Sequence, residues 1–226
     1  MRDYLILKLQ GPMQSWGEHT FEGKRPYGNF PTRSALLGLL GACLGIRRNE
    51  AGRLQQLADS VAFAVRKEER FRIRHDGRKT SLPIIKATDY HTVRDARENY
   101  FGLKSHETIQ TWREYLFDAT YTVAVWNTDV ATISLVELEQ AVKSPHFTPY
   151  LGRRSCPLSR PLFEMSFSAA NACDALRMIP SDGGVIYSEE PGETRTIRLR
   201  DVPLVRQPRQ FASRNVHVYG GVDVSE

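Results

Sequence analysis

An α+β fold with the order strand, helix, strand, strand, helix, strand is what this sequence predicts, and three observations predict it. Residues 118–126 (Asp-Ala-Thr-Tyr-Thr-Val-Ala-Val-Trp) alternate and are rich in β-branched and aromatic side chains, which suits a pleated, half-buried strand. Residues 35–46 are apolar on almost every side (Leu36, Leu37, Leu39, Leu40, Leu44), the mark of a helix buried among other elements. Ser134, with Glu137 three residues on, forms a capping box that starts a second helix running to about Val142.

The remaining elements follow in chain order. Tyr4–Leu9 is the first strand, ended by Gly11-Pro12, and a Gly-, Pro- and aromatic-rich loop fills 11–31. Thr32 or Ser34 caps the apolar helix, and Gly38, Gly41 and Gly45 line one of its sides, permitting close approach of a sheet or another backbone. Ser60–Val65 is the second strand and Leu162–Phe167 the closing one. Without residues 66–117 the pattern is βαββαβ, the ferredoxin-like or RRM-like order. Those residues sit where a tight hairpin should join the two central strands. A loop of more than about 15 residues in a compact domain is usually functional or disordered, yet this one holds Ile84, Ile85, Tyr90, Tyr100, Phe101, Trp112 and Tyr115. We therefore expect a projecting arm, its aromatics without a helical or strand-like period, ordered by a partner. Beyond Ser168 come a short helix (171–179) and strands near 185–187, 196–199 and 216–219, read as a small C-terminal β-rich subdomain. The expected division is 1–167, carrying the insertion at about 66–117, and 168–226.

With 226 residues, 31 Lys and Arg against 26 Asp and Glu, and a net charge of +5, the chain suits a polyanionic partner without demanding one. The basic runs are local: six arginines but only Asp201 as an acid between Arg195 and Arg214, and seven basic residues between Arg66 and Lys79. Arginine favours bidentate phosphate recognition. Three cysteines without Cys-x-x-Cys spacing argue for free thiols in a reducing compartment, and the six histidines lack metal-ligand spacing. No cofactor or metal is expected. The apolar runs are too short for a signal peptide or a membrane span, so the expectation is a cytoplasmic protein that touches no membrane.

The segment His146–Pro157 carries the clearest binding signal. Pro149 and Pro157 bound it, Tyr150 offers a ring face, Gly152 lets the backbone approach a ligand, and Arg153 and Arg154 offer forked donors for phosphate. A solvated turn with two surface arginines reads the same residues equally well. In Gly11–Gly17, Trp16 can stack on a base while Gln14 reads its edge, or Trp16 can tuck into the core. Arg33 and Ser34 open the apolar helix, where free N–H groups make an anion site. In the arm, Tyr90, Arg94, Arg97, Tyr100, Lys104, His106, Trp112 and Arg113 interleave aromatics with cations. That suits single-stranded RNA, and equally a protein interface.

Five segments together resemble the family-five CRISPR-associated proteins of type I-E Cascade surveillance complexes. They are 11–17 (Gly-Pro-Met-Gln-Ser-Trp-Gly), 30–45 (opening Phe-Pro-Thr-Arg-Ser), 102–116, 148–158 (Thr-Pro-Tyr-Leu-Gly-Arg-Arg-Ser-Cys-Pro-Leu) and 208–214 (Pro-Arg-Gln-Phe-Ala-Ser-Arg). The resemblance implies an RRM-like domain with a thumb, binding of the crRNA 5′ handle, and capping of one end of the Cascade filament. It further implies contacts with the adjacent backbone subunit and the large PAM-reading subunit. Target DNA would be met only through the complex, and the subunit would be non-catalytic. The rival is a metal-independent endoribonuclease that processes precursor crRNA, as type I-C relatives do. Such a reaction needs a base, an acid and a cation on the phosphate, and Tyr100, Lys104 and His106 are of the right types.

Overall fold

The computed structural model describes residues 1–17, 24–25, 28–93, 108–192, 194–204 and 210–220. In chain order the elements are β1 (Arg2–Gln10), β2 (Met13–Gln14), β3 (Lys24–Arg25), α1 (Arg33–Cys43), α2 (Ala51–Ser60), β4 (Val61–Glu68), β5 (Phe71–Ile73), β6 (Lys79–Ser81), β7 (Ile85–Val93) and β8 (Ile109–Phe117). There follow β9 (Thr120–Asn127), α3 (Leu135–Lys143), β10 (Phe163–Ala169), α4 (Ala172–Arg177), β11 (Gly184–Ser188), β12 (Arg195–Leu204) and β13 (Gln210–Tyr219).

Seven strands form one sheet in the order β10-β1-β9-β4-β11-β13-β12, each neighbour antiparallel to the next. Strand alternation divides its two faces. Leu5, Leu7 and Leu9 of β1, with Phe63 and Val65 of β4 and Tyr121, Val123 and Val125 of β9, point to the face covered by α1 and α3. Tyr4, Ile6, Ala64, Ala124 and Trp126 point to the other, where Ala172, Ala175 and Leu176 of α4 pack against them. Both helices on the first face begin where the sequence says they should. The Thr32 hydroxyl accepts from the Ala35 amide and the Ser134 hydroxyl from the Glu137 amide, caps worth about 1 kcal/mol each.

Three expectations change. The C-terminal strands build no sheet of their own: β11 pairs with β4, so β11, β13 and β12 extend the sheet already begun. The reason is that β4 lies beside β9 on one side only, and an open edge of that length must be covered. The insertion has strand period after all. β7 and β8 pair over nine residues, Ile85 with Phe117 through Val93 with Ile109, and β5 pairs with β6. Finally, among the described residues nothing lies within 4 Å of a Cβ built on Gly38, while Gly41 meets Leu57 of α2, a helix the sequence pattern had not shown.

Candidate nucleic-acid interface

Leu151 and Cys156 anchor the proline-bounded loop. Both are buried, the Leu151 amide donates to the Cys156 carbonyl at 2.8 Å, and the Cys156 amide to the Arg153 carbonyl at 2.8 Å. The turn between them lies on the segment after β1, with the Ser15 amide donating to the Leu151 carbonyl at 3.1 Å. Gly152 has φ +88°, and a Cβ there would stand 1.9 Å from the Ser15 carbonyl oxygen. On the other side of the same contact, a Cβ on Gly11 would stand 2.4 Å from the Pro157 oxygen. Two glycines from separate motifs thus allow one backbone to lie against another. Gly152 allows close approach of the protein's own chain, and it stays exposed on its other side.

The loop's cations survive as candidates. The Arg153 guanidinium lies 4.7 Å from the centroid of the Tyr115 ring and donates to the Glu114 carbonyl at 3.5 Å, so it is held against β8. Arg154 is exposed, with no hydrogen-bond or ion-pair partner among the described residues, and Tyr150 is half-buried beside them. Further along the same hairpin, Tyr90 and Trp112 face each other across β7 and β8 with ring centroids 5.4 Å apart. They stay 51% and 40% exposed, which for rings of this size is a large open apolar surface. Arg113 is half-buried and donates to the Thr111 hydroxyl at 3.3 Å. Arg97, Lys104 and His106, together with Tyr100, lie outside the described residues.

Three expected contacts, those of Gln14, Trp16 and Arg33, are corrected. Gln14 is 0% and Trp16 1% exposed. The indole N–H donates to Gln14 Oε1 at 2.9 Å, the Gln14 amide donates to the Ala119 carbonyl, and Trp16 packs edge-on to Tyr121 at 6.3 Å. They form a buried clamp between the β1 and β8–β9 segments. The anion site at the start of α1 is filled by the protein itself, since Asp201 Oδ2 accepts from the Arg33 amide at 2.8 Å. The Arg33 side chain turns away to Glu189 at 2.5 Å and to the carbonyls of Ala58 and Val61, and half-buried Ser34 stands in the same turn. Arg214 completes this network, reaching Glu189 at 3.1 Å and both oxygens of Asp201 at 2.6 and 2.7 Å. One arginine of the C-terminal basic run is thereby spent inside the fold.

A second internal network was also missed. Arg66 and Glu68 are two residues apart on β4 and so share a face with Ala64, a signal that was available in the sequence. Arg66 is 5% exposed and donates to the Ile179 carbonyl at 3.0 Å and to Glu68 at 3.0–3.1 Å. Burial alone would raise the Glu68 carboxyl, but donors from Ser181, Thr122, Arg66 and Lys8 together hold it below the ordinary carboxylate range. Burial also pushes the Cys43 thiol up to about 12, and all three cysteines are free and buried. Among the described residues no group of His, Cys, Asp and Glu is placed to hold a metal ion, and no helix is long and apolar enough to cross a membrane.

The architecture defines a class first. It is shared with a chain of a solved CRISPR RNA-guided surveillance complex (TM-score 0.68, 29% identity, covering 96% of this chain and 89% of that one). A second likeness of fold is to the crystal structure of a Cas protein (TM-score 0.61, 24% identity, 96% and 93% covered). The sequence is more specific. Residues 4–217 match the model of the CRISPR-associated Cas5 proteins, and the chain is 57% identical, over 100% of both lengths, to the CRISPR system Cascade subunit CasD of Escherichia coli (strain K12). The chain belongs to the Cas5 family of CRISPR-associated proteins.

Proposed function

We propose that this chain is the Cas5 subunit of a Cascade-type surveillance complex in antiviral defence, where it holds the 5′ handle of the crRNA without cutting it. The observation that carries the reading is the full-length relation, at 57% identity, to a Cascade subunit. In this reading β1, β4, β9 and β10, with α1 and α3, form a ferredoxin-like, RRM-type module. The strand order β10-β1-β9-β4 supports it, because it is the order 4-1-3-2 when the four strands are numbered along the chain. The β7–β8 hairpin is the thumb. RNA phosphates are held by Arg153 and Arg154 beside the hairpin, and a base lies against the open Tyr90–Trp112 surface, on the face of β8 opposite the Tyr115 ring that carries Arg153. The neighbouring backbone subunit and the large PAM-reading subunit cover the rest, in the cytoplasm, and target DNA is met through the complex. Replacing Arg153 and Arg154 together by Ala tests this. Assembly with crRNA should weaken, and its salt dependence should become shallower by about 0.7 for each single-strand phosphate that the arginines no longer neutralise. Unchanged affinity and slope would make the loop a structural turn.

A further inference from the structure

The basic run from Arg66 to Lys79 divides at the end of β4. Arg66 is paired with Glu68 inside the fold, while the later part of the run builds the β5–β6 hairpin, which joins no other strand among the described residues. Between Arg70 and Ser81 it carries five basic residues against a single acid, Asp76. Its root is tied to the body. The Leu82 amide donates to the Arg70 carbonyl at 2.7 Å, Arg70 reaches Asp118 at 3.7 Å, and Lys79 reaches Asp182 at 2.6 Å. The tip turns over His75-Asp76-Gly77, where Gly77 takes φ +77° and Asp76 Oδ1 accepts from the Arg78 amide at 3.0 Å.

The two faces of this ribbon differ. Phe71 and Ile73 share one face with their partners Ser81 and Lys79. Its root end looks to the body, since Phe71 is half-buried, with the Lys79 ammonium 5.8 Å from its ring. Alternation, carried one residue past each strand, puts Arg72 and Arg74 on the other face together with Thr80 and Arg78. The Arg74 amide donates to the Arg78 carbonyl at 2.9 Å, so these two cations stand opposite each other. All four residues of that face are exposed. Arg72 and Arg74 have no side-chain partner among the described residues, and Arg78, its side chain 83% exposed, has Asp76 at 3.7 Å. A two-stranded hairpin is marginal in water, and like charges set opposite each other weaken it further. An anion that spans both strands removes that repulsion.

We infer that this face of the β5–β6 hairpin binds the phosphate backbone of duplex DNA, with the ribbon laid in the major groove. That groove is about 12 Å wide and admits a two-stranded ribbon, whereas the major groove of an RNA duplex is too deep and narrow for side chains to read. By strand geometry Arg72 and Arg74 lie about 7 Å apart along the chain, and Arg74 and Arg78 about 5 Å apart across it. Each offers forked donors that match a pair of phosphate oxygens. A single strand is disfavoured because the face carries no ring on which a base could stack. A protein partner is disfavoured because the face carries no apolar side chain to form the dry centre of an interface. The contact lies on a different hairpin from the RNA path proposed above and does not depend on it. It gives this chain a direct hold on duplex DNA.

The test combines Arg72→Gln, Arg74→Gln and Arg78→Gln in the full-length protein, beside a second variant with Lys at the same three positions. Both variants and the unaltered protein are titrated over a range of KCl with a duplex DNA of mixed sequence, with single-stranded RNA of the CRISPR repeat, and with poly-L-glutamate. For duplex DNA, the slope of log affinity against log salt should become shallower by about 1.8 to 2.7 in the Gln variant, or 0.9 for each of two or three phosphates left without a cation. The Lys variant keeps the charges and should keep the slope. RNA binding should hold in both, and so should the melting temperature, since all three side chains are exposed. No affinity of the unaltered protein for duplex DNA at low salt, or an unchanged slope in the Gln variant, overturns the site. So does an equal change in the Lys variant, which would trace the effect to a disturbed hairpin. An equal change for the single-stranded RNA removes the preference for a duplex. A loss confined to poly-L-glutamate would hand the face to an acidic protein instead.

Discussion

At Gly152 a single hydrogen atom decides whether the candidate interface exists. Any Cβ there would meet the Ser15 carbonyl at 1.9 Å, in a backbone conformation of φ +88° that side chains rarely adopt. Gly152→Ala should therefore cost more than about 3 kcal/mol, as strain at a special backbone position combined with an overlap that only a backbone shift can relieve; urea denaturation monitored by Trp fluorescence measures it, and a loss under about 1 kcal/mol would contradict this geometry. Glu68 supplies a second residue-scale expectation, with its sign fixed by linkage. Its carboxyl is held below the ordinary range in the fold, so its contribution to stability is complete above the unfolded value of about 4.3 and is lost as pH falls through the lower folded value. Glu68→Gln should lower stability at pH 7 and flatten the fall between about pH 4.3 and more acid conditions. These roles were only half legible beforehand. The residue types at 11–17 and 148–158 marked the right segments, but a motif does not say which way a side chain points, and Gln14 and Trp16 turned inward because each satisfies the other's polar group away from water.

The helices and strands that carry their own signals were readable: the capped α1 and α3, the alternating β9, and the apolar β1. Those whose partners come from far along the chain were not. β11 and β13 have short apolar runs that fit a separate sheet as well as an added edge, and only β4's unpaired side settles the matter. α1 is the clearest case of a long-range partner, because its first turn is closed by Asp201 and its Arg33 by Glu189. Arg33→Ala should accordingly act on stability, by about 3 kcal/mol or more as when one member of a buried pair is removed, with the RNA salt slope unchanged. A shallower slope without loss of stability would return Arg33 to the nucleic-acid interface. The β7–β8 hairpin behaves oppositely. Trp112→Ala should leave the melting temperature nearly unaltered, since the ring is 40% exposed, while lowering RNA affinity by about 1 to 3 kcal/mol, the value of one stacked base. Fluorescence anisotropy with labelled repeat RNA reads that loss, and an unaffected affinity would remove the ring from the RNA path.

For the whole molecule, the proposed role of holding RNA without cutting it is a question of how its charges are divided between inside and outside. Several of the cations that the sequence displays are paired inside the fold: Arg33 and Arg214 with Glu189 and Asp201, Arg66 and Lys8 with Glu68. In the reading proposed above, the outward groups that bind are Arg153 and Arg154 beside β8 and the partly exposed rings of Tyr90 and Trp112. Cleavage without metal would need a base at the 2′ hydroxyl and an acid at the leaving oxygen, both aligned with the phosphate. Grip needs only charge and stacking, the roles proposed above for these positions. The full-length protein incubated with repeat RNA in EDTA should therefore leave the RNA intact while shifting its mobility. Replacing His106 by Ala then separates the alternatives sharply. In a holding protein the variant weakens binding by about 1 to 2 kcal/mol, as for a hydrogen bond to a charged group. In a nuclease it would leave affinity nearly untouched and abolish product by orders of magnitude. Cleavage in EDTA that disappears with His106→Ala is the result that would overturn the non-catalytic reading.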